Sequence, residues 1–196
     1  MDTVLDILQA AGIGAAIGIR PFLPALLVGA LAAADLGLDF DGTDFAFLEQ
    51  APFLLAMIVG LVAFDLVRRR AGEDALDSAP GLYVAGAVAV AVAALEGAGS
   101  LADRGHPVAA GIAAGAVCAL LAVIALRPLF ARVRARLDAA AAGLLPVYRE
   151  ALALAVAGLS VLFPPLAAVV IGALVWLLAS GRRREGEKYA GLRILR

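Results

Sequence analysis

The residues that most often carry chemistry are nearly missing from this chain. Among 196 residues there is one cysteine and one histidine. A lone Cys118 excludes an intrachain disulfide, and its place in an apolar run makes it a packing residue. His106 lies in the short segment "DRGHP" near Ser100 and Asp103, three polar residues of a kind common in any loop. No nucleophile–base–orienter set, metal-ligand cluster or phosphate-binding glycine motif is present. The expectation is therefore a non-enzyme with neither metal nor cofactor. Positive charge is absent from the first residues, which carry Asp2 and Asp6 instead, so a secretory leader is not expected. A polar stripe of the kind that lines a pore is also missing, which ranks a channel low. Net charge is −1, which alone argues nothing, and no nucleic-acid partner is expected.

What the chain has is apolar length. It is 63% hydrophobic, against about 45–50% for ordinary soluble domains, and its mean hydropathy is +0.97. Five apolar blocks stand out: Val4–Ala34, Ala51–Val67, Pro80–Leu95, Pro107–Leu126 and Ala151–Ser180. At 1.5 Å per residue the middle three match one crossing of a ~30 Å hydrocarbon core. The outer two are too long for one crossing, and each has proline near its middle. The first contains Arg20-Pro21-Phe22-Leu23-Pro24 and the last Phe163-Pro164-Pro165. Closely spaced prolines remove backbone donors and clash with the preceding turn, so they end a helix rather than bend it.

Charge sets the direction of each crossing. Of 16 Lys and Arg residues, 14 fall in Arg68–Arg70, Arg127–Arg149 and Arg182–Arg196. The segment Asp35–Gln50 has none and carries Asp35, Asp39, Asp41, Asp44 and Glu49. The positive-inside rule puts the basic clusters in the cytoplasm and the acidic segment outside. The last block starts and ends beside basic clusters, so it reads as a helical hairpin broken at Pro164-Pro165. The first block reads as a second hairpin entering from the opposite face and turning near Arg20-Pro21. Its rival is a short interfacial helix to Ile19 followed by one span from Pro21 to about Phe40.

Between the fourth and fifth blocks, "RPLFARVRARLDAAAAGLLPVYRE" sets Leu129, Phe130, Val133 and Leu137 on one helical face. Arg132, Arg134, Arg136 and Asp138 share another. That pattern predicts an amphipathic helix on the cytoplasmic surface, or else a solvated connector that merely fixes topology. Gly14xxxGly18 and Gly111xxxGly115 place small residues on helix faces and read as close-packing sites, within the fold or at a dimer seam. "FLPALLVGAL" and "FPPLAAVVIGAL" share a proline break followed by Gly-Ala-Leu, but an alanine- and leucine-rich chain produces such likeness by chance.

Arg20 is the residue most in need of an account. A charge at mid-membrane costs about 2.5–3.5 kcal/mol on insertion scales and normally faces protein, water or ligand. If Pro21 opens a returning half-helix, free amides and a positive dipole end stand beside Arg20, a combination suited to phosphate or carboxylate. A matching half-helix from Phe163, Pro164 and Pro165 would bring a second tip toward the same centre. Alternatively Arg20 snorkels to a headgroup or pairs with an acidic residue. Asp65, one turn before Arg68-Arg69, reads as a helix-end ion pair. Glu96 reads as an interfacial carboxylate, and Glu150 as an acidic residue opening a helix. Asp65 and Glu150 are the candidates for a coupling proton.

Three stretches resemble a bacterial family of small integral membrane proteins, the domain of unknown function four-one-two-six. They are "GIRPFLPALLVGALAA", the acidic residue Asp65 closing the next span, and "GLLPVYREALALAVAGLSVLFPPLA" with Glu150 in its acidic place. Where that family commonly carries glutamate at the second span's end, this chain has Asp65, followed by the basic run Arg68–Arg70. The resemblance implies a multi-helix membrane architecture and brings no activity with it.

The expectation is thus an all-α integral membrane protein of a bacterial cytoplasmic membrane, with its C-terminus cytoplasmic. It comprises three transmembrane spans, two proline-broken re-entrant hairpins and a cytoplasmic amphipathic helix. Residues 1–181 form one membrane domain and 182–196 a loosely ordered basic tail. The function expected is a transporter or flippase for an anionic substrate, such as a polyprenyl phosphate or another phosphate-bearing lipid. Arg20, Pro21, Pro24, Phe163, Pro164 and Pro165 would bind it at opposed hairpin tips. The expected partners are membrane lipids, the anionic substrate and a second copy of the chain. The rival is a non-catalytic scaffold or assembly factor acting through its basic surface.

Overall fold

A computed structural model describes residues 3–71 and 79–190, and within them all regular secondary structure is helical. Seven α-helices follow in order: α1 Thr3–Ile19, α2 Phe22–Ala32, α3 Ala51–Ala71, α4 Ala79–Ala102, α5 Val108–Arg134, α6 Ala139–Leu162 and α7 Pro165–Ala190. Four of them have stretches long and apolar enough to cross a membrane: Ala51–Arg70, Tyr83–Ala102, Val108–Arg134 and Ala141–Leu162. Three shorter apolar helices accompany them, Thr3–Ile19, Phe22–Ala32 and Pro165–Gly181. The fold is that of a multi-pass membrane protein.

The shortest pieces of sequence logic explain the centre. α1 reads "TVLDILQAAGIGAAIGI" and is buried over most of its length, including Ile13, Ala15, Ala16 and Ile17 at 0% exposure. It packs against α4, α5, α6 and α7 as well as α2. A helix can be surrounded in this way only if its own side chains are small. In lipid, where tails are as apolar as leucine, association depends on close packing more than on the hydrophobic effect. Gly115 is where three helices meet: a Cβ on Gly14 of α1 would lie 2.6 Å from Gly115 Cα, and a Cβ on Gly115 would lie 2.9 Å from the Ala93 carbonyl carbon of α4. Gly14 and Gly115 of the two motifs therefore meet inside this chain, while Gly18 faces Ala119 and Ala122 of α5 and Gly111 faces Gly97 of α4.

The break after α1 has a local cause. Arg20 N–H closes the last turn to Ala16 O at 3.2 Å, and Pro21, which has no N–H, stands as the N-cap of α2. Pro24 falls in the first turn of α2, where its missing donor is not needed. The chain then reverses, so that Gly37, just past α2, lies beside Gln9 of α1 and Arg104 after α4. Phe40 and Leu48, both fully buried, anchor the acidic segment over Gly99 of α4.

Three expectations change. The amphipathic surface helix does not exist as a separate element, because α5 runs through Pro128 to Arg134. Arg132 Nε donates to Pro128 O there. Glu150 does not open a helix: α6 begins at Ala139, capped by Asp138 accepting from Ala141 N–H at 2.7 Å, and contains Pro146. The first arm of the last block is therefore longer than expected. At about 1.5 Å per residue its Ala141–Leu162 stretch extends ~33 Å, enough for a full crossing. α7 also continues through Ala190, so the expected tail begins as helix. The side chains of 182–190, including Tyr189, and everything beyond 190 lie outside the described residues.

Candidate anion site at one end of the bundle

α1 separates two ends of different chemistry. From Asp6 to Arg20 it rises ~21 Å at 1.5 Å per residue. At the Asp6 end stand the acidic segment, the loop after α4 and the α6–α7 break. At the Arg20 end arginines of the first two basic clusters converge.

Arg20 is 6% exposed. Its Nε lies 3.3 Å from Glu150 Oε1, and its guanidinium carbon is 5.5 Å from the ring centre of Phe64 on α3. Two cavities adjoin it. The first, of about 210 Å³, is lined by five guanidinium side chains: Arg20, Arg68 of α3, Arg127 and Arg134 of α5, and Arg149 of α6. Its remaining wall includes Phe64, Leu126 and Phe130, and Arg149 lies over Phe130 at 4.5 Å. Among the described residues, no carboxylate lines this cavity. The second, of about 580 Å³, shares Arg20, Phe64 and Arg68 with it and reaches Asp65, Pro146, Val147 and Glu150.

Five arginines on three helices and one interhelical turn concentrate positive charge around this cavity. Each presents a planar fork of donors that fits phosphate or carboxylate oxygens two at a time. Asp65 neutralises part of this field, since its two oxygens take Arg68 and Arg69, the latter at 2.7 Å. That is the helix-end pairing expected of it.

Of the residues singled out from sequence, Arg20, Pro21, Asp65 and Glu150 thus come together around these two cavities. Pro24 is buried one turn into α2. Phe163, Pro164 and Pro165 are not part of the group. Val161, two residues before that break, accepts from Gln9 Nε2 at 3.0 Å, eleven residues up α1 from Arg20 and so ~16 Å away. The full length of α6 carries this break to the far end, so the two proline breaks do not face each other.

The Asp6 end holds a network that hydropathy alone conceals. Asp6, 1% exposed, takes Arg104 Nη1 at 3.0 Å and lies 3.1 Å from His106 Nε2. Arg104 also donates to Gln9 Oε1 at 3.3 Å and to Gly37 O at 2.9 Å. Asp6 and Gln9 lie three apart in an apolar helix, a spacing that marks one polar face. Removing one partner of a buried pair leaves an uncompensated charge. Arg104→Ala is expected to cost roughly 3 kcal/mol, the low end for buried pairs because Arg104 keeps some solvent contact. Thermal unfolding in detergent checks this, with an unchanged midpoint counting against the network's role.

Nearby, oxygens of Asp39, Asp41 and Glu49 gather within 4.8 Å. Burial raises the Glu49 carboxyl above its ordinary range, the Phe40 N–H partly offsets this, and Asp41 and Asp39 add to the rise. Two further polar side chains, Glu96 and Ser100 on α4, are fully buried. Their four-residue spacing on one helical face was legible, but the expected end of that helix, Leu95, was seven residues too early to show them as interior.

Fold and site together define an all-helical, multi-pass membrane protein with an arginine-lined cavity among its helices. The chain matches no family model, no curated protein and no solved structure.

Proposed function

We propose that this protein binds an amphiphile with a phosphate-bearing headgroup and carries it between the faces of the membrane. The observation that supports this reading most directly is the cavity of five arginines with an aromatic and aliphatic wall. A soluble anion would need the charges but not the wall. A lipid needs both, and it needs a way in from the side. The second cavity supplies one, reaching Val62 and Leu66 of α3 and Val147 of α6, all exposed. The headgroup sits among the arginines while its chain leaves between α3 and α6.

In this reading α1 and α2 form a re-entrant hairpin that turns at Arg20-Pro21. The arginine end faces the cytoplasm by the positive-inside rule. The hairpin then brings Arg20 to the depth where a headgroup starts its passage, and Glu150 holds it while the site is empty.

Native mass spectrometry of the purified protein in mild detergent tests this, wild type beside Arg149→Gln. Wild type is expected to retain a phosphate-bearing lipid, and the variant to lose most of it. Equal retention by both would count against the cavity and favour a scaffold acting through its basic surface.

A further inference from the structure

The mechanism above leaves one buried ionisable group unused. Glu96 is 0% exposed, and neither of its carboxylate oxygens has a hydrogen-bond partner. Ser100, one turn later on the same face of α4, is also fully buried, and its hydroxyl likewise has no partner. An unpartnered charge is the most expensive arrangement a protein interior can hold, and buried polar groups are otherwise almost always bonded. Two such groups, one turn apart on one buried face, call for a chemical account.

The position of Glu96 gives the site a role. Ala89, seven residues earlier and so on the same helical face, lines the arginine cavity. Glu96 is thus two turns, ~10 Å, from that cavity toward the opposite end. In the other direction, Ser100 is one turn before Arg104. Around Glu96 the backbones are locked: a Cβ on Gly111 of α5 would lie 2.7 Å from the Gly97 carbonyl carbon.

We propose that Glu96 takes up and releases a proton in step with anion binding at the arginine cavity, a coupling that rests on the function proposed above. The occupant is a proton because the site offers two carboxylate oxygens and one hydroxyl. A hard metal cation takes about six oxygens, and the nearby carbonyls are engaged in helix bonds. Protonation forms one O–H bond and turns the carboxylate into a neutral acid, which removes the buried charge. The proton arrives from the Asp6 end, past Ser100, and returns the same way. An uncharged Glu96 no longer repels the anion ~10 Å away, so proton and anion bind together.

The other ionisable groups on elements packed against α4 are accounted for. On α1 there is Asp6, bonded to Arg104 and His106, and Arg20 follows its last residue. On α5 there are Cys118 and the arginines from Arg127 onward, and α2 has none. Glu49 follows the short Ala46–Leu48 turn and bonds Phe40 N–H. On α4 itself, Tyr83 is exposed, and Asp103 beyond its end pairs with Arg104. None of them hydrogen-bonds a Glu96 oxygen.

The test uses the full chain in detergent and dioctanoyl phosphatidylglycerol, whose single phosphodiester charge is fixed between about pH 5 and 8. Wild type is expected to bind it about tenfold more weakly at the upper end of that range, by repulsion at ~10 Å in a protein-like dielectric. Glu96→Gln is expected to bind with the low-pH affinity throughout. Infrared difference spectra should show a protonated carboxyl band in wild type that grows on lipid addition and is absent from Glu96→Gln. The same pH slope in Glu96→Gln overturns the proposal, as does the lack of that band. An affinity that follows sodium at fixed pH makes the occupant sodium and overturns it too. If Glu96→Gln does not fold, the wild-type band with Ser100→Ala beside it decides. Arg20→Ala separates the two ideas: full binding by that variant sinks the arginine cavity as the anion site, while the infrared result still judges Glu96.

Discussion

Arg20→Ala will lose most bound anionic lipid and also destabilise the protein, and a second substitution will separate the two effects. Arg20 lies 3.3 Å from Glu150 Oε1, and Glu150 Oε2 is buried without a hydrogen-bond partner. Removing the arginine strands that carboxylate. Buried pairs broken on one side cost about 3–5 kcal/mol, and the partial exposure of Glu150 puts this one nearer 2. The double variant Arg20→Ala/Glu150→Gln removes the stranded charge and should recover most of the lost thermal midpoint. It should not recover lipid retention, since the fork that grips phosphate is still missing. A charge-assisted hydrogen bond contributes about 1.5–3 kcal/mol, so retention should stay ten- to a hundredfold below wild type. Arg20→Lys should hold the fold better than alanine yet bind weakly, because a point charge cannot bridge two oxygens. Full lipid retention by the double variant would reduce Arg20 to a structural cation.

Gly115→Val is the most damaging single change expected anywhere in the chain. Its Cβ would be driven into the backbone of Ala93, while Gly14 of α1 presses on Gly115 from the other side. Overpacking costs about 1–3 kcal/mol where side chains can turn aside. Here the obstacle is main chain on two helices, so the cost should exceed that range and α1 should leave the centre of the bundle. Size-exclusion of a fluorescent fusion in detergent should show aggregate instead of a single peak. Gly172→Ala on α7 is the control: its Cβ meets nothing within 4 Å. It should be neutral or gain up to about 1 kcal/mol from helix propensity. A Gly115→Val variant as well behaved as Gly172→Ala would mean that α4 and α5 do not meet as described.

The helices themselves were legible because their causes are local. Apolar runs of sufficient length, the prolines after Arg20 and Phe163, and the clustering of arginines all lie within short windows of sequence. The glycine motifs were legible as packing sites for the same reason, though not which helix each would meet. Boundaries were less legible. α5 outlasts its apolar run by two turns because arginine-bearing turns remain good helix once a long helix supports them. α6 starts twelve residues before the fifth block because Asp138 caps it there. Glu96 looked interfacial from hydropathy, since α4 continues through "GAGSLA" on glycine and serine that a hydropathy window does not favour.

The sequence by itself determined that this chain is helical and membrane-spanning, and that Arg20 sits at a helix break. It also grouped most of the positive charge into three clusters, because each of these follows from composition and spacing along the chain. Only the tertiary structure decided that Arg20, Arg68, Arg127, Arg134 and Arg149 surround one cavity, that Phe163–Pro165 lies far from them, and that Glu96 is interior. Those facts depend on which helices pair and in what register. That is set by backbone contacts such as Gly14 with Gly115, between residues a hundred positions apart, where no local pattern reaches.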